Sequence, residues 1–368
     1  MIAAEGGGAD GSLARLEIDL GALQANWRAL GARHPAGPVA GVVKADAYGL
    51  GATHVAPALF AAGCRHFFTA HLQEALAIRP KLPGAMVAVL NGLPPGSEAA
   101  FAAHGVAPVL GTQGEIARWA AEARRLGRAL PALLHVDTGM NRLGLDAAQL
   151  AALAADPTAL EGIALRYVMT HLSASEAPQD PANEAQRQRF AAACALLPPL
   201  PRSFANSSGI FLGAGWASDL ARPGAALYGI NPTPGQPNPM RPVVRLTARV
   251  LALRAVRKGE AVGYNATWTA KQDGRIATIG VGYADGWLRS HTNHGHAIFD
   301  GARLPLVGRV SMDLITLDAT GCPALREGDM VELIGPGRGV DAVAEAAGTN
   351  GYEILTSLGR RYHRVWTA

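Results

Sequence analysis

The sequence predicts an α/β protein, an N-terminal (β/α)8 TIM-type barrel followed by a C-terminal mainly-β domain. Three observations predict it. From Val39 to about residue 222, short apolar runs alternate with amphipathic helical stretches, as repeated βα units do. Residues 233–242, Thr-Pro-Gly-Gln-Pro-Asn-Pro-Met-Arg-Pro, hold four prolines in ten residues and can continue neither a helix nor a central strand. Beyond them the chain turns to β-branched runs punctuated by tight-turn dipeptides, the pattern of a β-rich unit. The expected division is a loose start over 1–12, a barrel domain over 13–236 and a β-rich domain over 237–368.

The elements follow in order. Arg15-Leu16-Glu17-Ile18-Asp19-Leu20 alternates like a strand, and Asp19 is placed to cap a helix through about Leu30,. Eight strand-like runs fall near 39–43, 66–69, 85–90, 106–110, 132–137, 163–170, 203–206 and 218–222, the last the least marked. Helical stretches between them include 115–126, 147–155 and 183–197. An open doubly wound sheet would share this local pattern. In the second domain, strands are expected at 243–255, 276–281, 297–299, 304–310, 314–317 and 330–334, with turns at Lys258-Gly259, Asp273-Gly274 and Asp300-Gly301,. Asp341 can cap a helix that stops at Gly348. Asn350 and Glu353 have capping-box spacing, which puts Tyr352 in the first turn of another helix,.

Composition limits the function classes. With 368 residues there is chain enough for two domains and a full core,. Hydrophobic residues at 49% and charged residues at 17% make it globular,. The net charge of +4 is dispersed, with no basic stripe bearing interleaved aromatics, so no nucleic-acid partner is expected,. Cys64, Cys194 and Cys322 are far apart and form no CxxC, which argues for a reducing compartment and against a zinc site,. The Gly/Ala-rich start lacks a basic n-region and a long apolar h-region, and no apolar stretch reaches membrane length,. A cytoplasmic chain with no membrane association and no metal is expected.

In a (β/α)8 barrel, functional groups collect at the C-terminal ends of the strands. Those ends carry Lys44 and Tyr48, then Asp137-Thr138-Gly139-Met140-Asn141-Arg142, His171, Asn206-Ser207-Ser208-Gly209, and Arg222-Pro223-Gly224. Lys44 closes the apolar run Val39-Ala40-Gly41-Val42-Val43. An amine held in such surroundings has a depressed pKa and can act as a neutral nucleophile, although a lysine at a strand end is more often simply solvated. One amine, two guanidiniums, an imidazole, hydroxyls and a Gly-opened turn on one rim suit an anionic cofactor.

These pieces occur as Val-Val-Lys44-Ala-Asp-Ala-Tyr48-Gly, His135-Val-Asp-Thr-Gly-Met-Asn-Arg142-Leu-Gly, Thr170-His171 and Arg222-Pro-Gly. They continue as Val-Gly-Tyr264-Asn-Ala-Thr-Trp, Gly282-Tyr-Ala-Asp-Gly-Trp, Gly308-Arg-Val-Ser-Met312-Asp313 and Asn-Gly-Tyr352-Glu. In this order, from about Ala14 to the C-terminus, the set resembles alanine racemase, a fold-type III enzyme dependent on pyridoxal 5'-phosphate (PLP). The resemblance implies interconversion of L- and D-alanine, for peptidoglycan precursor supply or D-alanine catabolism, by a homodimer whose subunits share active sites. It implies that Lys44 binds PLP covalently and is one acid/base group. Tyr264, from the partner subunit, is the other, supported by His171 and Arg222. A free phenol has a pKa of about 10, so as a base near neutrality it needs lowering.

The same resemblance aims Arg222 at the pyridine nitrogen. A permanently charged guanidinium donates a hydrogen bond there without readily giving up a proton, which favours reprotonation over transamination. Phosphate would sit at a helix N-terminus opened by Gly224 and Ala225, with hydroxyls from Tyr48, Ser207 and Tyr352; for Ser207 a plain helix cap is an alternative. Arg142 and the backbone N–H of Met312, the latter again from the partner, match groups that hold the substrate carboxylate. Tyr264 and Tyr352 correspond to a constriction that admits small side chains and disfavours serine or broad specificity. Arg289, Arg309 and Asp313 correspond to the entrance, as steering charges or as solvated surface. Some relatives carry a carbamylated lysine where His135 stands, and a histidine cannot form that carbamate, so what orients Arg142 is open. The other readings are a basic-amino-acid decarboxylase on the same architecture and a PLP-homeostasis protein without turnover. The first would prefer an acidic pyridine partner to Arg222, and the second is essentially a lone barrel.

Overall fold

The computed structural model describes residues 11–368, so residues 1–10 of the expected loose start lie outside it. The chain forms two compact units, one comprising Leu23–Leu227 and Asn231–Met240, the other the described residues up to Ala22 with Tyr228–Ile230 and Arg241–Ala368.

The first unit is the barrel. Seven parallel strands follow one another in sequence order: Gly41–Val42, His66–Thr69, Met86–Val89, Ala107–Leu110, Leu130–His135, Ile163–Met169 and Arg202–Ser203. Phe67, Phe68, Val87, Ala88, Ala132, Leu133 and Leu134 are buried, the near-continuous apolarity of strands covered on both faces,. The ring closes through isolated parallel bridges, Ser203 with Leu220 and Val39 with Ala221. The eighth strand-like run, expected over 218–222, thus forms isolated bridges at Leu220 and Ala221 and a further backbone bond from Arg222 to Ala205, short of a regular strand. The Asp219 carboxylate and the Ser218 hydroxyl accept from the backbone N–H groups of Arg202 and Phe204, and Pro223 has no N–H to extend the ladder. Helices Gln113–Leu126, Ala147–Ala155 and Pro181–Ala195 stand where helical periodicity placed them.

The second unit is built on the long strand Val244–Val256. It pairs antiparallel with Gly274–Ile279, Met330–Ile334 and Ala14–Asp19. The strand Ala14–Asp19, counted with the barrel in the expectation for 13–236, lies instead between Val244–Val256 and the final strand His363–Thr367. Ala14, Leu16 and Ile18 point to the buried face. Asp19 then caps helix Leu20–Arg33 by accepting from the Ala22 N–H at 2.7 Å,. The strand expected over 304–310 runs only Ala302–Pro305, because Pro305 lacks a donor and Gly308 turns the backbone at φ +76,. Helix Val340–Ala347 starts from Gly339, with Asp341 inside its first turn rather than at its cap, where the carboxylate still favours the helix dipole,. Asn350 caps helix Gly351–Ser357 through the Glu353 N–H, so Tyr352 is in the first turn, while the Glu353 carboxylate accepts from the Thr349 hydroxyl. Among the described residues, no helix is long and apolar enough to cross a membrane.

Candidate active site

Lys44 follows directly on the strand Gly41–Val42 and the Val43 N–H bond to the Phe68 carbonyl. The next four residues, Ala45, Asp46, Ala47 and Tyr48, all have positive φ between 53° and 56°, a left-handed turn made without glycine. Such a conformation costs about 1–2 kcal/mol per residue, and local bonds hold it. The Asp46 carboxylate accepts from the Ala52 N–H at 2.7 Å, and Gly49 and Gly51 donate back to the carbonyls of Ala45 and Asp46. Glu74, a residue the sequence reading passed over, accepts from Asp46, Ala70 and His71 N–H groups. Its only sequence signal is an acid at the third position of a helix, three residues after His71,.

The turn fixes two side chains. Burial, then the positive charge of Arg142, pushes the Lys44 amine below its usual pKa, with Glu74 opposing,. Tyr48 is buried, which pushes its phenol up and keeps it a hydroxyl donor. That hydroxyl occupies the space a Cβ on Gly224 would need. The Ser207 hydroxyl accepts from the N–H groups of Gly224 at 3.0 Å and Ala226 at 3.2 Å. The segment after Gly224 is not the helix expected there but a four-residue 3-10 turn, Ala225–Tyr228. Ser207 therefore caps that turn, and its own hydrogen is left to donate. Tyr48 and Ser207 bring two hydroxyls together beside the Gly224 backbone, with no carboxylate among them, which fits a phosphate ester,.

Arg222 is 4% exposed and donates to the Ser203 hydroxyl and the Thr170 carbonyl, each at 2.5 Å. Burial lowers its pKa to about 10, so it stays charged near neutrality. These two bonds use one N–H of each terminal nitrogen, and Arg222 also acts on the His171 imidazole through its charge. Burial first, then Arg222, Arg142, Lys44 and His135, push His171 down to about 3. His135 is buried and pushed down to about 4 by burial and by Arg222, with Asp137 opposing. Both imidazoles are neutral at physiological pH. His135 therefore brings no charge to Arg142. The loop before Arg142 is organised by Asp137, whose carboxylate accepts from the N–H groups of Gly139, Met140 and Asn141, each at 2.9 Å. Its ends are tied by a bridge between Val136 and Leu145.

The remaining expected residues belong to the sheet unit. Tyr264 is 70% exposed and lines a 430 Å³ cleft with Gly263, Thr278, Arg309, Ser311, Leu314 and Thr316. Met312 is exposed; its carbonyl accepts from Ala284, while its own N–H has no acceptor among the described residues. Asp313 pairs with Arg361 at 2.8 Å, and Arg361 also reaches the buried Asp285 at 3.1 Å. Arg289 opens a short 3-10 turn, Arg289–His291, and Tyr352 is half-buried.

Comparison with known proteins gives one answer along the chain. The family description "Alanine racemase, N-terminal domain" matches residues 18–232, and "Alanine racemase, C-terminal domain" matches 243–366. An alanine racemase of Acidiphilium cryptum is 59% identical over 350 residues, covering 95% of this chain and 98% of the relative. A protein of Mesorhizobium japonicum described as alanine racemase, catabolic, is 52% identical over 95% of this chain and 92% of its own. The crystal structure of alanine racemase from Bartonella henselae with covalently bound pyridoxal phosphate superposes with a TM-score of 0.94 at 42% identity. It covers 97% of this chain and 100% of that one.

Proposed function

The chain belongs to the alanine racemase family, and from that premise we propose that Lys44 and Tyr264 work opposite faces of the substrate α-carbon. The enzyme interconverts L- and D-alanine with PLP as its cofactor. PLP supplies the electron sink that lets the α-hydrogen of alanine leave as a proton. The Tyr48, Ser207 and Gly224 cradle, with Tyr352, would hold its phosphate, and Lys44 would anchor its aldehyde carbon. Arg222 would donate to the ring nitrogen while keeping its own proton.

The desolvated Lys44 amine carries this reading. A lysine whose pKa is lowered spends more of its time neutral, so it can both attack a carbonyl and accept a proton,. With the substrate in place, the Lys44 amine would take or return the Cα proton on one face. Tyr264 does the converse on the other face, with neutral His171 and charged Arg222 behind it. Arg142 and the open Met312 N–H would hold the substrate carboxylate, and Tyr264 and Tyr352 are assigned to a constriction that admits a methyl side chain but little more.

Tyr264 and Met312, both well exposed, support a homodimer in which each sheet unit serves the other subunit's barrel. Arg289, Arg309 and Asp313 are assigned to the entrance. The three cysteines are free and buried, in keeping with the cytoplasmic setting assigned to the enzyme. Its D-alanine would serve peptidoglycan, or its activity D-alanine breakdown. Borohydride reduction of the holoenzyme followed by peptide mapping tests the assignment: the cofactor should be fixed on Lys44, and a label on Lys81, Lys258 or Lys271 would remove it.

A further inference from the structure

Helix Pro181–Ala195 turns a polar pair toward its buried face: Asn183 and Gln186 are each 1% exposed. Gln186 uses every hydrogen-bonding position of its amide. Nε2 donates to the Thr138 hydroxyl at 3.2 Å and to the His171 carbonyl at 2.9 Å. Oε1 accepts from the Ser173 N–H at 2.8 Å and the Ser173 hydroxyl at 2.9 Å. The orientation of the amide is determined, because the opposite one would set donor against the Ser173 N–H and oxygen against the His171 carbonyl. One turn further on, Arg189 donates to the Thr138 carbonyl at 2.8 Å. The Thr138 hydroxyl also bonds the Thr170 hydroxyl at 2.7 Å, and the Thr170 carbonyl accepts from Arg222.

Thr138 lies between Asp137, which gathers the backbone of the Arg142 loop, and the residues that loop presents. Asp137 holds the loop to itself, and Gln186 and Arg189 hold it to the helix behind. We infer that Gln186 and Arg189 are positioning residues that set Arg142 for the substrate carboxylate, work done in some relatives by a carbamylated lysine at the place of His135. The inference rests on the proposed role of Arg142 in carboxylate binding. It assigns the orientation of that guanidinium to a hydrogen-bond network of Thr138, Gln186 and Arg189, with the same Gln186 amide fixing the peptide of His171.

Steady-state racemisation by the holoenzyme tests it, with Arg189→Met, Thr138→Val, Gln186→Met and Arg142→Met compared with the parent. Loss of positioning weakens a contact made to substrate and transition state alike, so KM for alanine should rise roughly five- to ten-fold in the first three variants while kcat stays within about two-fold. Thr138→Val added to Gln186→Met should cost less than the sum of the two alone. A merely structural role predicts the reverse: a lower melting temperature and active fraction with KM unchanged. That result in Arg189→Met and Thr138→Val would overturn the inference, and these two variants decide it if Gln186→Met does not fold. If Arg142→Met raises KM and they do not, the inference alone fails. If Arg142→Met leaves KM unchanged, the carboxylate reading fails with it.

Discussion

The hydroxyl of Tyr48 occupies the space that a β-carbon on Gly224 would fill. Two residues far apart in the chain are thereby made to depend on each other, and both belong to the proposed phosphate cradle. Gly224→Ala should displace the phenol and weaken PLP binding by at least about ten-fold, or about 1.4 kcal/mol. Titration of the apoprotein with PLP measures it. Tyr48→Phe should weaken binding less, and the double variant should be less than additive because the phenol no longer competes for the space.

Asp137 accepts three backbone N–H groups. Asn in its place retains one carbonyl oxygen and loses the charge, and a charge-assisted bond is worth about 1.5–3 kcal/mol. Asp137→Asn should raise KM for alanine by roughly ten-fold, with PLP binding little changed. Steady-state kinetics alongside PLP titration separate the two quantities.

His135 and His171 are held neutral in the fold, pushed down to about 4 and about 3. Unfolded histidine titrates at about 6.5, so between these values the unfolded chain binds more protons than the folded one. Their contribution to stability is complete above about pH 6.5 and is lost as pH falls toward the folded values. Melting temperature should decline from about pH 7 to about pH 5, and His135→Gln should flatten that decline. An unchanged slope in the variant would remove His135 from the account.

Tyr264, Tyr283, Met312 and Leu314 of the sheet unit are all exposed large side chains. If a second subunit covers them, Leu314→Glu should weaken the dimer by buried-charge repulsion and desolvation. Sedimentation would then show dissociation at micromolar chain concentration, and specific activity would become concentration-dependent. A dimer and an activity both indifferent to Leu314→Glu would put the interface elsewhere.

Much of this was legible in the sequence. Apolar runs bounded by Gly and Pro placed the barrel strands, because parallel strands buried on both faces need continuous apolarity. Asp19, Gly348 and Asn350 marked helix ends because capping acts within three or four residues. The left-handed turn over Ala45–Tyr48 carried no such sign: alanine does not advertise positive φ, and distant groups such as Glu74 sustain it. The placing of Ala14–Asp19 beside His363–Thr367 was equally silent, since alternation identifies a strand but not its neighbour,. Gln186 left a faint trace, as a polar residue on the apolar stripe of its helix that includes Phe190 and Ala193,.

The two-faced assignment of Lys44 and Tyr264 is tested most directly by hydrogen exchange in deuterated water with Tyr264→Phe. Racemisation should be lost in both directions, while Lys44 continues to exchange the α-hydrogen of one alanine enantiomer for deuterium with retention of configuration. The other enantiomer should exchange far more slowly. Equal exchange into both enantiomers, or racemisation close to that of the parent enzyme, would contradict the account.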